Sequence, residues 1–494
     1  MKRYNYVILF GLLLSATLGA QDQSQAIRFS QYFPEGTARY SAMGGAFGAI
    51  GADFSAASQN PAGLGLFRSS EFTITPVYSM NSSSSNYLEN ISRDNTGGMR
   101  ISSLGMVNTY QTGRESGLVS TTLAFGYNTL NSYNNSITIQ GTQPYSAEGS
   151  SLLDNFAWYA NNNNVLDGFY EELAFQTAIM PYDSTISEYW HYLEPFDAGN
   201  YDGYGQLQTR VIERSGYTGE YAFSAAANID NKLYLGGTLG IHAVRYYENI
   251  YHEESDVADY EPYFDSFRFD EYNSTRGYGF ALKLGMLFKP IHILRIGATF
   301  QAPVVYHLTD DKFTELSTYW NSNSGLTDGY ASSGLYSKEY ILRTPLRASI
   351  SSALLLGKLG LISMEYEFVD YSSADLDSPG YKFIDENAAI ANDFEKGHNV
   401  KAGAELRLNP IYLRGGIQYY SNPFVNKENG SDILVYSAGI GFRINQTSID
   451  IAYAIKSGKE LYGLYSVNPA SGEFESASIT NKTSNLIVSL GYKF

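Results

Sequence analysis

From Phe72 onward, apolar or aromatic residues alternate with small or polar ones in segments of roughly ten residues, the period of a strand with two unlike faces. The last segment shows this most cleanly. Leu486, Val488, Leu490, Tyr492 and Phe494 fall on one face, Ser489, Gly491 and Lys493 on the other, and only Ile487 breaks the rule. The same pattern predicts strands over 119–127, 235–244, 278–288, 293–301, 347–356, 361–371, 400–408, 411–420, 435–444 and 449–455. Each is long enough to cross a bilayer when tilted.

The connections alternate strictly between short and long. Short ones lie at 111–117, 229–232, 289–291, 357–360, 409–410 and 445–446; long ones at 81–98, 131–205, 249–274, 302–339, 372–397, 421–432 and 457–483. Tight turns on one rim and long loops on the other are the pattern of an outer-membrane barrel. Residues 206–228 read as one long strand with a glycine bulge at Ser215-Gly216, because a turn there would reverse the parity of every later loop. The expected fold is therefore all-β: a transmembrane antiparallel barrel of about fourteen strands over 71–494. A globular β-sandwich would also alternate, but around one dry core. Here the face opposite the apolar one carries Gly, Ser, Thr and charged residues, which suits a polar lumen.

The chain begins with Lys2 and Arg3, an apolar run over 7–14 and small residues ending at Ala20, so residues 1–20 read as a secretory signal peptide. That run is too short to anchor the chain, and no later apolar run is long enough to cross as a helix. Only 17% of the 494 residues are charged, 43 are Tyr, and the formal net charge is −17. An acidic chain is a poor partner for nucleic acid. With no cysteine, neither a disulfide framework nor a thiolate metal site is possible. We expect a monomer in the outer membrane of a Gram-negative cell, in contact with its lipid, without cofactor or metal. The terminal aromatic Phe494 fits handling by the barrel-assembly machinery.

Residues 21–70 are not strand-like. Gly44, Gly45 and Ala46, then Asp53, then Asn60, Pro61, Ala62 and Gly63 belong to a stretch of mostly tiny side chains with turn and helix-start residues. A periplasmic tail would be more polar. The alternative is a plug, or hatch, folded back into the barrel. At these residues the sequence resembles the FadL family of outer-membrane transporters of long-chain fatty acids and other hydrophobic compounds. The GGA segment, the acidic Asp53 and the Asn-Pro-Ala of 60–62 carry the likeness, with thinner matches at 297–300 and 365–371. It is close to members from Bacteroides-like bacteria that are often labelled hemin receptors, so haem uptake is the alternative it implies. The resemblance implies a fourteen-stranded barrel closed by its N-terminal hatch. It also implies passive, ligand-gated diffusion of a hydrophobic ligand, released sideways at an inward kink in the third strand. Gly126, Tyr127 and Asn128 are the candidates for that kink.

The longest loop holds Leu152, Leu153, Phe156, Trp158, Leu166, Phe169, Leu173, Phe175 and Ile179, spaced for two short helices with apolar faces. Such faces either pack as a cap or collect an apolar ligand. A second loop, 253–271, mixes acids with aromatics and reads as a solvated surface rather than a calcium loop. The six histidines, at 191, 242, 252, 292, 307 and 398, are scattered and show no haem motif. An outer-membrane barrel enzyme, a lipase or protease, is the competing class, but neither a G-x-S-x-G nor an H-E-x-x-H motif is present.

Overall fold

A computed structural model describes residues 23–146, 149–193, 204–258, 260, 262–468 and 473–494. The signal-peptide expectation lies outside them. Fourteen antiparallel strands close into a barrel. In chain order they are β1 Glu71–Tyr87, β2 Asn90–Gln111, β3 Leu118–Ser132 with its continuation Asn135–Thr142, β4 Leu207–Ile229, β5 Leu233–Ser255 and β6 Phe264–Ile291. Then come β7 Leu294–Gln301 continued by Val305–Trp320, β8 Tyr336–Arg343 continued by Arg347–Leu355, β9 Gly360–Asp370 and β10 Lys396–Leu408. The last four are β11 Ile411–Tyr420, β12 Ile433–Ile444, β13 Thr447–Asn468 and β14 Glu473–Lys493. The ring closes where β1 pairs with β14, from Glu71 opposite Lys493 to Asn86 opposite Ser478. Closure leaves no unpaired sheet edge facing lipid, which hydrocarbon does not tolerate.

The alternation places apolar residues outward. On β6, Tyr278, Phe280, Leu282, Leu284, Met286 and Phe288 are all exposed, while Ala281, Lys283 and Leu287 between them are buried. Ile487 breaks the alternation because it faces inward against Ala38, Ala42, Val77 and Ala452. Among the described residues no helix is long and apolar enough to cross a membrane.

The outer half departs from the sequence reading. Residues 81–98 are not a loop: β1 and β2 run on to a two-residue turn at Leu88-Glu89, both left-handed. Most of 249–274 and 457–483 is likewise strand. These walls stand above the membrane: their outer face meets water instead of lipid and their inner face is buried, at Ser83, Ser85, Tyr87 and Ile479 among others, so polar residues stand on both faces and the hydrophobic period fades although the backbone ladder continues. Gly216 makes no bulge with β5; the register from Leu207 opposite Ser255 to Ile229 opposite Leu233 is unbroken. The interruption is in β3, whose Tyr133 N donates to Gly216 O at 3.0 Å.

Candidate functional site

Four short helices build the material that fills the lumen and caps it: α1 Gln23–Ser30, α2 Ala38–Ala42 and α3 Ala56–Gln59 inside the barrel, α4 Leu152–Asn162 in the longest loop. The segment that carries α2 and α3 lies on seats made by cross-strand glycine pairs. Gly403 and Gly416 face one another beneath Met43 and Gly44; Gly236 and Gly285 beneath Asn60 and Pro61; Gly105 and Gly126 beneath Phe54. A Cβ at any of these six would overlap the segment or a neighbouring strand. Close approach of backbone to backbone is what each glycine supplies.

The small-residue motif is used residue by residue. Gly44 sits at φ +59 with backbone atoms of Ile417 and Ala402 where its Cβ would be, and Gly45 at φ +63 against the Tyr40 ring. Ala46 is buried. Both Asp53 oxygens accept from Thr37 Oγ1, and one also accepts from Ser55 N. Asn60 caps the 3-10 turn Pro61–Leu66, accepting from Ala62 N at 3.1 Å. Its amide donates to Gly48 O at 2.6 Å and to Met286 O on β6 at 3.2 Å, so it ties two parts of the segment to the wall. Pro61 occupies the first position of that turn, where its missing N–H costs nothing, and Ala62 and Gly63 are buried behind it.

The third strand parts from the second. Gly126 and Tyr127 are regular ladder members opposite Gly105 and Leu104, and the β2 ladder ends one residue later, at Ser103 opposite Asn128. Above that point β2 is paired only with β1, while the continuation of β3 lies against the inner side of that hairpin, with Ser83 and Ser85 donating to Ser136 O and Thr138 O. The seam so left is stopped by residues 33–36. Phe33 N donates to Leu130 O at 3.0 Å, Glu35 N to Thr129 O at 3.4 Å, and Ser102 Oγ to Gly36 O at 2.7 Å. Arg100 of β2 is ion-paired with Glu35.

Above the membrane, α1 packs Ala26, Ile27 and Phe29 into an aromatic cluster that includes Tyr246, Tyr306, Tyr340 and Phe383. Gln25 donates to Asp310 at 2.7 Å, and Tyr340 donates to Asp310 at 3.2 Å. Asp310 pairs with Thr275, beyond the outermost lipid-facing aromatic of β6, Tyr278. Burial pushes its carboxyl from 3.8 up to about 6. The packing that buries Asp310, of which α1 is one part, therefore favours the neutral acid although Gln25 and Arg28 favour the carboxylate, and it is expected to weaken as pH rises from about 4 to about 6, by about 3 kcal/mol at most. Hydrogen exchange of the α1 amides, corrected for intrinsic rate, should show protection lost over that interval, and Asp310→Asn should flatten the profile. An unchanged profile would contradict it.

The loop residues divide. Leu153 and Leu173 are buried in a core with Phe264, Phe267, Leu316 and Ile479, and Leu166 packs against it. Leu152, Phe156 and Phe169 line a cavity of about 450 Å³ together with Phe269, Tyr336, Arg210 and Lys312. Trp158 and Phe175 are not on that cavity; they meet Tyr159 and Tyr189 edge to face. Glu254, one of the acids read as solvated, is instead fully buried and accepts five bonds: from Leu152 N, Ser151 Oγ, Gln206, Gln208 and His252. It fastens the start of α4 to the barrel, where the helix dipole favours a carboxylate. Polar residues flanking a hydrophobic run gave no warning of so long-range a contact. Asp259 and Glu261 lie outside the described residues.

Among the described residues no group of three or more His, Cys, Asp or Glu could hold a metal ion. No protein-family model and no curated protein sequence matches the chain. Solved structures do. A Pseudomonas aeruginosa FadL homologue aligns over 94% of this chain and 99% of its own, at 14% identity and TM-score 0.52. The P. putida toluene transporter TodX aligns over 92% of this chain and 97% of its own, at 10% identity and TM-score 0.52. At such identities the likeness is one of fold.

Proposed function

We propose that this chain is an outer-membrane channel of the FadL type that admits small hydrophobic molecules by passive, ligand-gated diffusion. The ligand is captured in the outer cavity, enters the lumen as the N-terminal hatch shifts, and leaves sideways through the seam between β2 and β3. What carries the reading is that the β2–β3 ladder stops at Asn128 and that the lumen segment itself, not another strand, fills the place beyond it. The neighbours of like fold named above, a FadL homologue and a toluene transporter, support the transport of hydrophobic compounds. The exposed Phe494 on the lipid face suits insertion by the barrel-assembly machinery.

The outer cavity supports one substrate class. Its volume of about 450 Å³ is that of a small-ligand site, and its wall joins aromatic and aliphatic groups to two cations, Arg210 and Lys312, and three acids, Asp167, Glu171 and Glu271. Lys312 is shared with Glu271 at 3.5 Å, whereas Arg210 donates to His252 at 3.2 Å and to Leu464 O and has no carboxylate within ion-pair distance among the described residues. A long-chain fatty acid would place its chain on the rings and its carboxylate at Arg210. Tryptophan-fluorescence titration should show the acid binding more tightly than its methyl ester. Arg210→Gln should erase that preference, a loss of about tenfold or more for a charge-assisted bond, with the ester unchanged. Equal affinity for acid and ester in the wild type would sink the fatty-acid assignment and leave neutral hydrophobes.

A further inference from the structure

The wall of the barrel opposite the acidic loops ends in a convergence of cations that the transport path does not use. Arg295 of β7 and Lys289 of β6 both fall in the irregular part of their ladder, between the pairs Leu294–Ile291 and Ile296–Phe288. Neighbouring residues Phe288 and Ile296 face lipid, so both cations turn toward the mouth. Lys232, in the adjoining hairpin, accepts Lys289 N on its carbonyl at 2.7 Å. Arg68 follows the 3-10 turn that rests on β4, β5 and β6 at the same end.

In a chain of net charge −17 this gathering is against composition. Several inward cations are matched by acids: Arg414 by Glu405 and Asp450, Lys401 by Glu365, Lys283 by Glu220. Among the described residues none of Arg68, Lys232, Lys289 and Arg295 has a carboxylate within 4 Å. Arg295 donates to Ile50 O at 2.7 Å, and its Nε is buried with no partner. Like charges brought together without a counter-charge repel, and a buried guanidinium N–H left unpaired costs more than the bond it lacks. A single oxyanion offsets both penalties, and a guanidinium fork is suited to phosphate oxygens.

We propose that the periplasmic mouth carries an anion site in which Arg295, supported by Lys289, Arg68 and Lys232, holds a phosphate group, either free or as the headgroup of a phospholipid of the periplasmic leaflet. The four side chains come from the N-terminal segment and from two adjacent hairpins, so the bound anion also clamps the segment to the wall. The site is separate from the outer cavity and from the β2–β3 seam.

The full-length mature protein in neutral detergent should be titrated calorimetrically with inorganic phosphate and, separately, with phosphatidylglycerol in mixed micelles against phosphatidylcholine. Binding of phosphate itself identifies a free-anion site; binding of phosphatidylglycerol alone identifies a leaflet headgroup. In either arm Arg295→Gln should weaken binding by about tenfold or more, as loss of a charge-assisted bond requires. Lys289→Gln should weaken it less, while Arg276→Gln, an exposed cation already paired with Asp311, should leave it unchanged. Heat-modifiable migration on gels verifies that each variant is folded. Absence of binding in both arms, or binding that is the same in Arg295→Gln and Lys289→Gln as in the wild type, would overturn the proposal.

Discussion

Replacing Gly44 by valine is expected to dislodge the lumen segment and turn a closed barrel into a conducting one. Gly44 is held at φ +59, where a β-branched residue pays about 1–2 kcal/mol or more. Its Cβ would also lie 2.7 Å from Ile417 N and 2.8 Å from Ala402 O. Both are backbone atoms of a paired ladder and cannot yield as a side chain would, so overpacking adds about 1–3 kcal/mol. Together these shift the balance of docked and displaced segment by about a hundredfold or more. Planar-bilayer recordings should show steady conductance for the variant and little for the wild type. Gly325→Val is the matched control: φ is +72 there too, but nothing lies within 4 Å of the added Cβ, and conductance should stay closed. Closed channels in both variants would mean that the segment does not block the lumen.

What the sequence discloses, and what it hides, follows from which residues see two different solvents. Strands between lipid and lumen, such as Tyr278 to Phe288 of β6, alternate visibly because one face is greasy and the other is not. The Asn-Pro-Ala motif is legible for a local reason: Asn60 caps the turn that Pro61 begins. The strand extensions of β1, β2, β13 and β14 are not, since no lipid faces them and their buried inner positions include Ser83 and Ser85 beside Tyr87 and Ile479, so the period fades. Nor are the glycine seats, although the signal is there in retrospect: Gly236 and Gly285, or Gly403 and Gly416, face one another on consecutive strands, a match that appears only once the register of each hairpin is known. The third strand illustrates both cases. Gly126 stands out in the sequence, yet it seats Phe54 within a regular ladder, and the parting of β3 from β2 begins after Asn128, in a stretch of Thr, Leu, Asn and Ser with no distinguishing pattern. The spacing in the outer loop predicts two apolar helices that either pack or capture. Leu153 and Leu173 lie in the core, and Leu152, Phe156 and Phe169 line the cavity.

Residues 33–36 stop the seam between β2 and β3, and on the proposed route they must move for a hydrophobic molecule to pass. The Glu35–Arg100 ion pair marks the contact most directly, because it joins the segment to the free side of β2. The chain has no cysteine, so Glu35→Cys with Arg100→Cys introduces the only two thiols, which a short reducible bifunctional reagent can join. Uptake of a labelled long-chain fatty acid into cells or proteoliposomes is then measured with the link intact and after its reduction. The link should lower uptake by about tenfold or more, by removing the open population, and reduction should restore it. Full uptake through a barrel whose segment is completely cross-linked to β2 would contradict the account.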